Sequence, residues 1–171
     1  LSKVFLDFKP EAVIHFAGLK SVNESIKTPL NYYSNNIFGT INLLDLMYQY
    51  NCHNIIFSSS ATVYGMPEYS PCDENHRVSP INPYGRSKFF IEEIIKDWTI
   101  SDDRNKSIIL RYFNPVGAHK SGLIGESPLG TPNNLFPYIS GVICNKYKYL
   151  SIYGNDYDTT DGTGVRDYVH V

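Results

Sequence analysis

The chain alternates short, continuously apolar runs with longer stretches in which apolar residues recur every three or four positions. Three of the apolar runs are typical of strands buried inside a sheet: AVIHFAG at 12–18, NIIFSSS at 54–60 and SIILRYF at 107–113. The stretches that separate them have the spacing of amphipathic helices. The pattern therefore predicts strands that alternate with helices.

A long helix is predicted over 29–50. Thr28 is a candidate N-cap, and Pro29 suits the first helical position, where its missing N–H is not needed. The apolar positions of this helix are Leu30, Tyr33, Ile37, Ile41, Leu44 and Tyr48. A second helix is predicted after the second strand, with Asn82 as its N-cap and Pro83 at its start. Its apolar face consists of Phe89, Ile91, Ile94, Ile95 and Trp98.

The C-terminal third has a less regular pattern. A stretch rich in glycine and proline occupies 115–132, and a helix is predicted around 134–146. A short strand is predicted at 150–154, followed by a polar loop and a final strand at 165–171.

Strands that alternate with helices form a parallel sheet through right-handed crossovers, so the fold class is α/β. In open parallel sheets, ligands bind beyond the carboxyl ends of the strands. The polar residues that follow the three strands are therefore the first candidates for a functional site. They lie at 18–20, at 58–60 and at Asn114.

Composition narrows the function classes. The chain is 42% hydrophobic and 19% charged, which is ordinary for a globular domain. A net charge of −2 argues against general binding to nucleic acid or to an anionic membrane, and no apolar run approaches the ~18 residues of a membrane span. The 3 cysteines contain no C-x-x-C pair and suit a reducing compartment. The 5 histidines have no metal-ligand spacing, so no metal is expected.

Tyr84 and Lys88 stand four residues apart at the start of the second helix and therefore point the same way. A free tyrosine titrates near about 10, but a nearby ammonium favours the phenolate, which can accept a proton from a substrate hydroxyl. Ser60, at the tip of the preceding strand, offers a hydroxyl to share that proton. The spacing alone is unspecific, because a buried tyrosine with an extended lysine gives the same pattern.

Five further segments, in one order, carry a resemblance to a known family: FSSSATVYG, NPYGRSK, LRYFNPVGAH, PNNLFPY and DGTGVRDYVHV. Together with VIHFAGLKSVNES, they make nearly the whole chain resemble the extended short-chain dehydrogenase/reductase family, and within it the UDP-glucose 4-epimerases. The resemblance implies a Rossmann-like doubly wound parallel sheet and a tightly bound NAD. It implies reversible C4 epimerisation of UDP-glucose and UDP-galactose through a 4-keto sugar, in galactose metabolism. It also implies a cytoplasmic homodimer formed through the helices at 29–50 and 83–98.

The resemblance implies roles for individual residues. Tyr84 matches the family's catalytic base, Lys88 its partner, which also holds the nicotinamide ribose, and Ser60 the proton-sharing hydroxyl. The implied cofactor contacts are Phe16, Ala17, Gly18, Leu19, Lys20, Asn35, Ser58, Ser60, Tyr84, Lys88, Tyr112 and Phe113. The implied substrate contacts are Lys20, Ser60, Ala61, Thr62, Tyr84, Asn114, Asn133, Asn134, Leu135, Ser151, Ile152, Tyr153 and Arg166.

Several of these residues also have a plainer interpretation. Asn35 taken alone is an ordinary solvent-facing residue, and Asn134 suits a helix N-cap. Arg166 is the best candidate for a diphosphate contact, but it could instead pair with Asp161 or Asp167. The residues that could serve only as strand-end packing are Phe16, Ala17, Tyr112 and Phe113.

Other reactions on the same fold remain open. A sugar-nucleotide 4,6-dehydratase or decarboxylase, or an epimerase of other UDP-sugars, is one alternative. Dehydratases place Asp-Glu just after the strand-end serine or threonine, whereas Ala61 and Thr62 follow Ser60 here. A non-catalytic binding protein is another alternative, which the intact Ser60, Tyr84 and Lys88 disfavour.

The glycine fingerprint of dinucleotide binding, G-x-G-x-x-G or G-x-x-G-x-x-G, does not occur in the sequence. The chain begins at Leu1 and stops within a strand-like run, so we expect it to be the middle of a longer enzyme. On that expectation, residues 1–114 are the central and C-terminal part of an NAD-binding domain, and residues 115–171 are mostly substrate-binding segments. Because the fingerprint amides hold the pyrophosphate, the isolated chain is expected to bind NAD poorly and to be inactive.

Overall fold

The computed structural model describes residues 1–132 and 134–171, so Asn133, a predicted substrate contact, lies outside the described residues. The described chain forms two compact units, Leu1–Tyr112 and Phe113–Val171. All three predicted catalytic residues belong to the first unit.

A parallel three-stranded sheet forms the centre of the first unit. Its strands are β1 (Ala12–His15), β2 (Asn54–Ser60) and β3 (Lys106–Tyr112), in the order β1-β2-β3. In this register His15 lies opposite Phe57, and Ser59 lies opposite Arg111. The predicted α/β fold with a parallel sheet is confirmed, and each strand lies where an apolar run predicts it.

Helices connect these strands. They are α1 (Ser2–Phe8), α2 (Val22–Lys27), α3 (Pro29–Tyr32), a π-helical turn (Tyr33–Phe38), α4 (Gly39–Gln49), a 3-10 turn (Ala61–Val63) and α5 (Pro83–Ile100). Helix α5 begins at Pro83 as predicted, because the Asn82 side chain accepts a hydrogen bond from Gly85 N at 2.8 Å. The apolar spacing does not predict α1, α2 or the two non-α turns.

One face of the sheet packs against α1, α4 and α5. The side chains that form this core are Phe5, Leu43, Leu44, Met47, Cys52, Ile55, Phe57, Ile91 and Ile95. Ile55 and Phe57 stand two residues apart on β2 and therefore point to the same face. The opposite face carries Ile14 and Ile108, which are 59% and 54% exposed. The apolar layer that supports α5 is therefore on one side of the sheet.

The predicted helix over 29–50 is a continuous helical run, but its buried side differs from the prediction. Leu30 and Tyr48, which the prediction places on the apolar face, are 79% and 68% exposed. The buried side consists of Tyr32, Asn36, Thr40, Leu43, Leu44 and Met47. The reason is partly geometric, because the turn over Tyr33–Phe38 is π-helical and takes up more residues than an α-helical turn. It is also chemical, because the polar residues of the buried side find hydrogen-bond partners there.

The second unit contains one short sheet and one helix. Strand β4 (Asn114–Val116) pairs in parallel with β5 (Tyr168–His170), and α6 covers Leu135–Ile143. The predicted helix and final strand are thus present but shorter. The predicted strand at 150–154 is wrong, because the backbone there forms no strand. A strand requires a neighbour that pairs with its backbone, and in this unit β5 is paired with β4 instead.

The cap of α5 leads to a first prediction. Replacing Asn82 with alanine removes the acceptor for Gly85 N, so we expect the free energy of unfolding to fall by about 1 kcal/mol. Urea denaturation followed by the fluorescence of Trp98, which lies on the same helix, measures this loss. Thr28→Ala is the comparison, because Thr28 also precedes a helix-starting proline but makes no N-cap bond, and its hydroxyl instead donates to Glu24 O at 3.2 Å in an exposed position. A loss no greater than that of Thr28→Ala would contradict the assigned cap.

Candidate active site

Tyr84, Lys88 and Ser60 meet at the carboxyl end of β2. Tyr84 and Lys88 lie on the first two turns of α5 and are 9% and 5% exposed. Ser60 is the last residue of β2 and is half-buried. The helix approaches the strand end closely because position 85 is Gly85, where a Cβ would lie 2.9 Å from the carbonyl oxygen of Thr62. The three residues thus share one small, mostly buried region.

The turn that follows β2 orients the Ser60 hydroxyl. Its oxygen accepts hydrogen bonds from the backbone N–H of Thr62 at 3.2 Å and from the Thr62 hydroxyl at 2.9 Å. A hydroxyl has two lone pairs and one proton, so these bonds leave the Ser60 proton available to donate. The Tyr84 phenol lies beside this hydroxyl, which acts to lower the pKa of the phenol. The pair is therefore arranged to exchange a proton.

The Lys88 ammonium is buried next to this pair. Its Nζ donates to the Ser58 carbonyl oxygen at 2.8 Å and lies 4.8 Å from the centre of the Phe57 ring. Burial lowers the pKa of Lys88 from 10.5 to about 8, so the amine is still mostly protonated at neutral pH. The bond to Ser58 uses one of its three donors. Lys88 therefore keeps a positive charge and further hydrogen-bonding capacity in the site.

The expected acidification of Tyr84 is absent from the described chain. Burial raises the pKa of the phenol, and this effect outweighs the opposing effect of Ser60. The Lys88 ammonium does not reverse it, because Nζ is directed to the Ser58 carbonyl and lies 5.9 Å from the centre of the Tyr84 ring. A second positive charge close to the phenol is needed to bring its pKa towards neutrality.

His15 is a buried neighbour of Lys88. Its Nε2 lies 3.0 Å from the Thr40 hydroxyl, which donates its single proton to the Asn36 carbonyl oxygen at 2.7 Å. Thr40 can therefore only accept from His15, so Nε2 carries the proton of the neutral ring. Burial, with a smaller effect from the charge of Lys88, lowers the pKa of His15 to about 4. At neutral pH, His15 adds no second charge beside Lys88.

The loop after β1, which carries five predicted cofactor contacts, is held by Asn36. The Asn36 side chain accepts from Leu19 N at 2.8 Å and donates to Leu19 O at 3.0 Å. Gly18 has a φ of +152°, and a Cβ there would lie 3.1 Å from Asn36 Oδ1. The predicted contact Asn35 is exposed, and sequence reasoning missed Asn36. Its spacing of four residues from Thr40, a second polar residue on the same helical run, is the signal that could have found it.

Two aromatic rings lie on either side of the β2 end. Phe16 follows β1 and is 63% exposed, and its ring centre is 6.3 Å from that of Tyr112 at the end of β3. The other exposed residues of the β1 loop are Ala17, Gly18 and Lys20. These predicted cofactor contacts therefore form an open surface at the carboxyl ends of the strands.

The remaining predicted contacts lie in the second unit. Asn114 donates from its side chain to Asp167 O at 2.8 Å, next to the β4–β5 pairing. Asn134 occupies the N-cap position of α6, but its side chain donates to Glu126 at 3.1 Å instead of capping. Arg166 is exposed and donates to a neighbouring backbone carbonyl at 2.7 Å. The others are the half-buried Phe113 and Ser151 and the exposed Leu135, Ile152 and Tyr153.

Glu92 is a buried acid that sequence reasoning also missed. It lies one turn beyond Lys88 on α5, is 0% exposed and forms an ion pair with Arg111 at 2.7 Å. Its position four residues after a site lysine, between Ile91 and Ile94 of the predicted apolar face, is the signal that could have found it.

The described residues contain neither a metal-ligand cluster nor a membrane-spanning helix. Across 1–132 and 134–171, no group of three or more His, Cys, Asp or Glu side chains is placed to hold a metal ion. None of the helices described is both long and apolar enough to cross a membrane.

Comparison with known proteins relates these motifs to a family. A family model described as GDP-mannose 4,6 dehydratase matches residues 1–171. The chain is 60% identical to UDP-glucose 4-epimerase 2 of Arabidopsis thaliana and 56% identical to UDP-glucose 4-epimerase of Homo sapiens. Each alignment covers 100% of this chain and 49% of the relative, so the chain spans about half the length of the curated relatives it matches.

A solved structure extends this likeness to the fold. The crystal structure of UDP-glucose 4-epimerase from Bifidobacterium longum in complex with NAD+ and UDP matches with a TM-score of 0.94 at 51% identity. The match covers 99% of this chain and 51% of that chain. The resemblance to UDP-glucose 4-epimerases that the sequence motifs carry is therefore confirmed.

The neutral, buried His15 leads to a prediction about stability and pH. In the unfolded chain His15 takes up a proton near its ordinary pKa of 6.5, whereas in the folded chain it stays neutral down to about pH 4. The unfolded state therefore binds more protons in this range, and the free energy of unfolding falls as the pH drops from 6.5 to 4. This group contributes on the order of 3 kcal/mol to that fall. His15→Gln should flatten the profile, as urea denaturation at several pH values measures.

His119→Gln is the matched control for this experiment, because His119 is exposed. Its profile should run parallel to that of the unsubstituted chain. Equal slopes for His15→Gln and the unsubstituted chain between pH 4 and 6.5 would show that His15 does not titrate as assigned.

Proposed function

The chain belongs to the family described as GDP-mannose 4,6 dehydratase, among the extended short-chain dehydrogenases/reductases, and from this premise we propose that the complete protein is an NAD-dependent UDP-glucose 4-epimerase. In this proposal it interconverts UDP-glucose and UDP-galactose by inverting C4 through a 4-keto sugar. The observation that carries the proposal is the buried group of Tyr84, Ser60 and Lys88 at the carboxyl end of a parallel strand. Identities of 56% and 60% to UDP-glucose 4-epimerases support it.

Inversion at C4 requires the proton of the 4-hydroxyl to leave and later to return. Tyr84 holds this proton, and Ser60 passes it between the sugar oxygen and the phenol. The free proton of Ser60 and the adjacent phenol suit this exchange. The charge of Lys88 favours the phenolate, although burial opposes it. Tyr84 therefore acts as base in one half of the cycle and as acid in the other.

The residues around this pair fit the nicotinamide end of NAD. Lys88 has donors left for ribose hydroxyls, Phe16 and Tyr112 present open ring surfaces, and Gly18 leaves space beside Asn36. Bound NAD would supply the oxidising and reducing capacity at C4, together with a positive charge near Tyr84. The glycine-rich loop that binds a pyrophosphate is not among the 171 residues. The chain thus supplies one part of the cofactor site.

The substrate contacts form two groups. Ala61 and Thr62 follow Ser60 directly and are half-buried beside the proposed base. Arg166 is proposed to bind the diphosphate, since its guanidinium is exposed and its planar fork matches phosphate oxygens. The other residues proposed to bind the UDP-sugar are Lys20, Asn114, Asn133, Asn134, Leu135, Ser151, Ile152 and Tyr153.

The name of the family model raises a second candidate function, a sugar-nucleotide 4,6-dehydratase. Loss of water between C5 and C6 requires an additional acid and base near the sugar. Ala61 and Thr62, which follow the strand-end serine, provide neither. Product analysis separates the two functions, because an epimerase yields UDP-galactose from UDP-glucose and a dehydratase yields a 4-keto-6-deoxy sugar.

The complete protein is further proposed to be a cytoplasmic homodimer. The helical run at 29–49 and α5 share an exposed apolar face that includes Leu30, Phe38 and Phe90, at 79%, 62% and 44% exposure. The two helical segments are contiguous there, because the ring centres of Tyr33 and Phe90 lie 6.3 Å apart. A second copy that packs its own helices on this face would remove these side chains from water.

The proposed dimer gives a third prediction. Phe38→Glu places a charge at the centre of the apolar face, so we expect the full-length protein to sediment as a monomer at micromolar concentration. Analytical ultracentrifugation measures the mass. Met66→Glu is the control, because Met66 is 74% exposed in the loop after β2 and should leave the dimer intact. A dimer that tolerates Phe38→Glu would place the interface elsewhere.

The proposed base gives a fourth prediction. In the full-length protein, Tyr84→Phe removes the proton carrier and should lower kcat for UDP-galactose by about 10²–10⁴-fold, with bound NAD retained. A coupled assay for UDP-glucose measures turnover, and absorbance after denaturation measures the bound cofactor. Tyr48→Phe removes an exposed phenol and should be neutral. Near-normal turnover of Tyr84→Phe would overturn the assigned mechanism.

A further inference from the structure

A buried carboxylate lies on the helix side of the sheet, below the proposed site. Glu92 Oε1 accepts from the Ser59 hydroxyl at 2.5 Å. Arg111 donates from Nε to both carboxylate oxygens, at 3.1 and 3.2 Å, and from Nη2 to Oε2 at 2.7 Å. Glu92 and Ser59 are 0% and 2% exposed. One carboxylate thus joins α5 to β2 and β3 at once.

Both partners of this carboxylate are chain neighbours of residues in the proposed site. Ser59 directly precedes Ser60, and Arg111 directly precedes Tyr112. Ser59 and Arg111 also lie opposite each other in the β2–β3 register, so their side chains leave the sheet on the same face. A displacement of the carboxylate therefore displaces the ends of two strands.

The same carboxylate is fixed relative to the proposed base. Glu92 lies four residues after Lys88 and eight after Tyr84, on the buried side of one helix. The distance between the phenol of Tyr84 and the hydroxyl of Ser60 depends on how α5 sits against the end of β2. Glu92 is a direct polar tie between those two elements.

Arg111 extends the tie to the turn that follows Ser60. Its guanidinium carbon lies 5.0 Å from the centre of the Tyr64 ring, and Tyr64 is the C-cap residue of the 3-10 turn that Ser60 begins. Hydrogen bonding to Glu92 raises the pKa of Arg111, so the guanidinium stays charged. The turn whose Thr62 orients the Ser60 hydroxyl is therefore also packed against this pair.

The ion pair between Glu92 and Arg111 is expected to add little to the free energy of unfolding. Burying two ions costs free energy that their attraction does little more than offset, and apolar residues of the same volume often stabilise a fold as well or better. The hydrogen bonds between an arginine guanidinium and a carboxylate fix both the distance and the orientation of the two groups. The contribution of this pair is therefore a defined geometry.

We propose that Glu92 is a positioning residue for the reaction, which sets the separation of Ser60 from Tyr84 by tying α5 to the ends of β2 and β3. The inference rests on the proposed function. In this proposal Glu92 acts on turnover through Ser59 and Arg111, the two residues to which its buried carboxylate is bonded.

The test uses the full-length protein and UDP-galactose. Glu92→Gln keeps the size of the side chain but weakens both ties, and kcat should fall by about 10–100-fold, with KM changed by less than about 3-fold and bound NAD retained. Ser59→Ala leaves the ion pair in place and should lower kcat by about 3–10-fold. Because Ser59 and Glu92 act through the same hydrogen bond, kcat of the double variant should be little lower than kcat of Glu92→Gln alone.

Two controls separate positioning from stability. Glu93→Gln changes the next residue of α5, whose exposed carboxylate pairs with Lys96, and should leave kcat unchanged. Ile91→Val loosens the core beside Glu92 and shows how far kcat follows the thermal midpoint.

The outcomes are distinct. The inference is supported if kcat falls at constant KM in both Glu92→Gln and Ser59→Ala, and falls further than in Ile91→Val. If Glu92→Gln does not fold, the result for Ser59→Ala decides alone. Unchanged kcat in these variants, or a loss that only follows stability, overturns the inference while the wild-type activity upholds the proposed function. A wild-type protein without epimerase activity overturns both.

Discussion

The hydrogen bond from the Lys88 ammonium to the Ser58 carbonyl is the contact on which the arrangement of the site depends. It holds the first turns of α5 against the end of β2 and places a cation beneath the Tyr84 ring. A buried ammonium is costly, and the lowered pKa of Lys88 expresses that cost. The Ser58 carbonyl accepts a hydrogen bond from this ammonium, the face of the Phe57 ring lies against it, and His15 stays neutral and so adds no repelling charge. These contacts let the charge persist at neutral pH.

Burial of Tyr84 holds the ring in position but makes its phenol a weaker acid. The packing that fixes Tyr84 beside Ser60 also raises the pKa of the phenol. Neither the serine nor the lysine overcomes this effect in the described chain. In the proposed function, the missing contribution is the positive charge of oxidised NAD. The phenol would then be an effective base only while the cofactor is oxidised, which couples proton removal to oxidation of the sugar.

The strands and α5 are predictable from the sequence because their signals are local. β2 coincides with its apolar run, and Asn82 and Pro83 mark the first turn of α5. The buried side of the helical run at 29–49 is not predictable from apolar spacing, because the buried Asn36 and Thr40 are hydrogen-bonded to Leu19 and His15, which are distant in the chain. The segment at 150–154 has strand-like composition but no strand to pair with.

In the candidate site, too, some features can be predicted from local sequence and others depend on tertiary contacts. The spacing of Tyr84 and Lys88 predicts that they lie on the same side of one helix, and the family motifs identify them as candidate site residues. Local spacing marks Glu92 and Asn36 as candidate residues, but the partners that define the roles of Glu92, Arg111 and Asn36 lie on elements far apart in the chain, so those roles could not be predicted. The direction of the Tyr84 pKa shift is also a tertiary property, because it depends on how deeply the ring is buried.

The π-helical turn at Tyr33–Phe38 determines how this part of the chain can change in length. The turn contains one residue more than an α-helical turn, so a single deletion there would restore ordinary winding while leaving α4 in nearly the same rotation relative to α3. Thr40 would then stay beside His15, whereas Asn36, which lies inside the turn, would lose its place against the loop after β1. Homologous chains that lack the extra residue should therefore keep the packing of α4 and differ in how the loop after β1 is held.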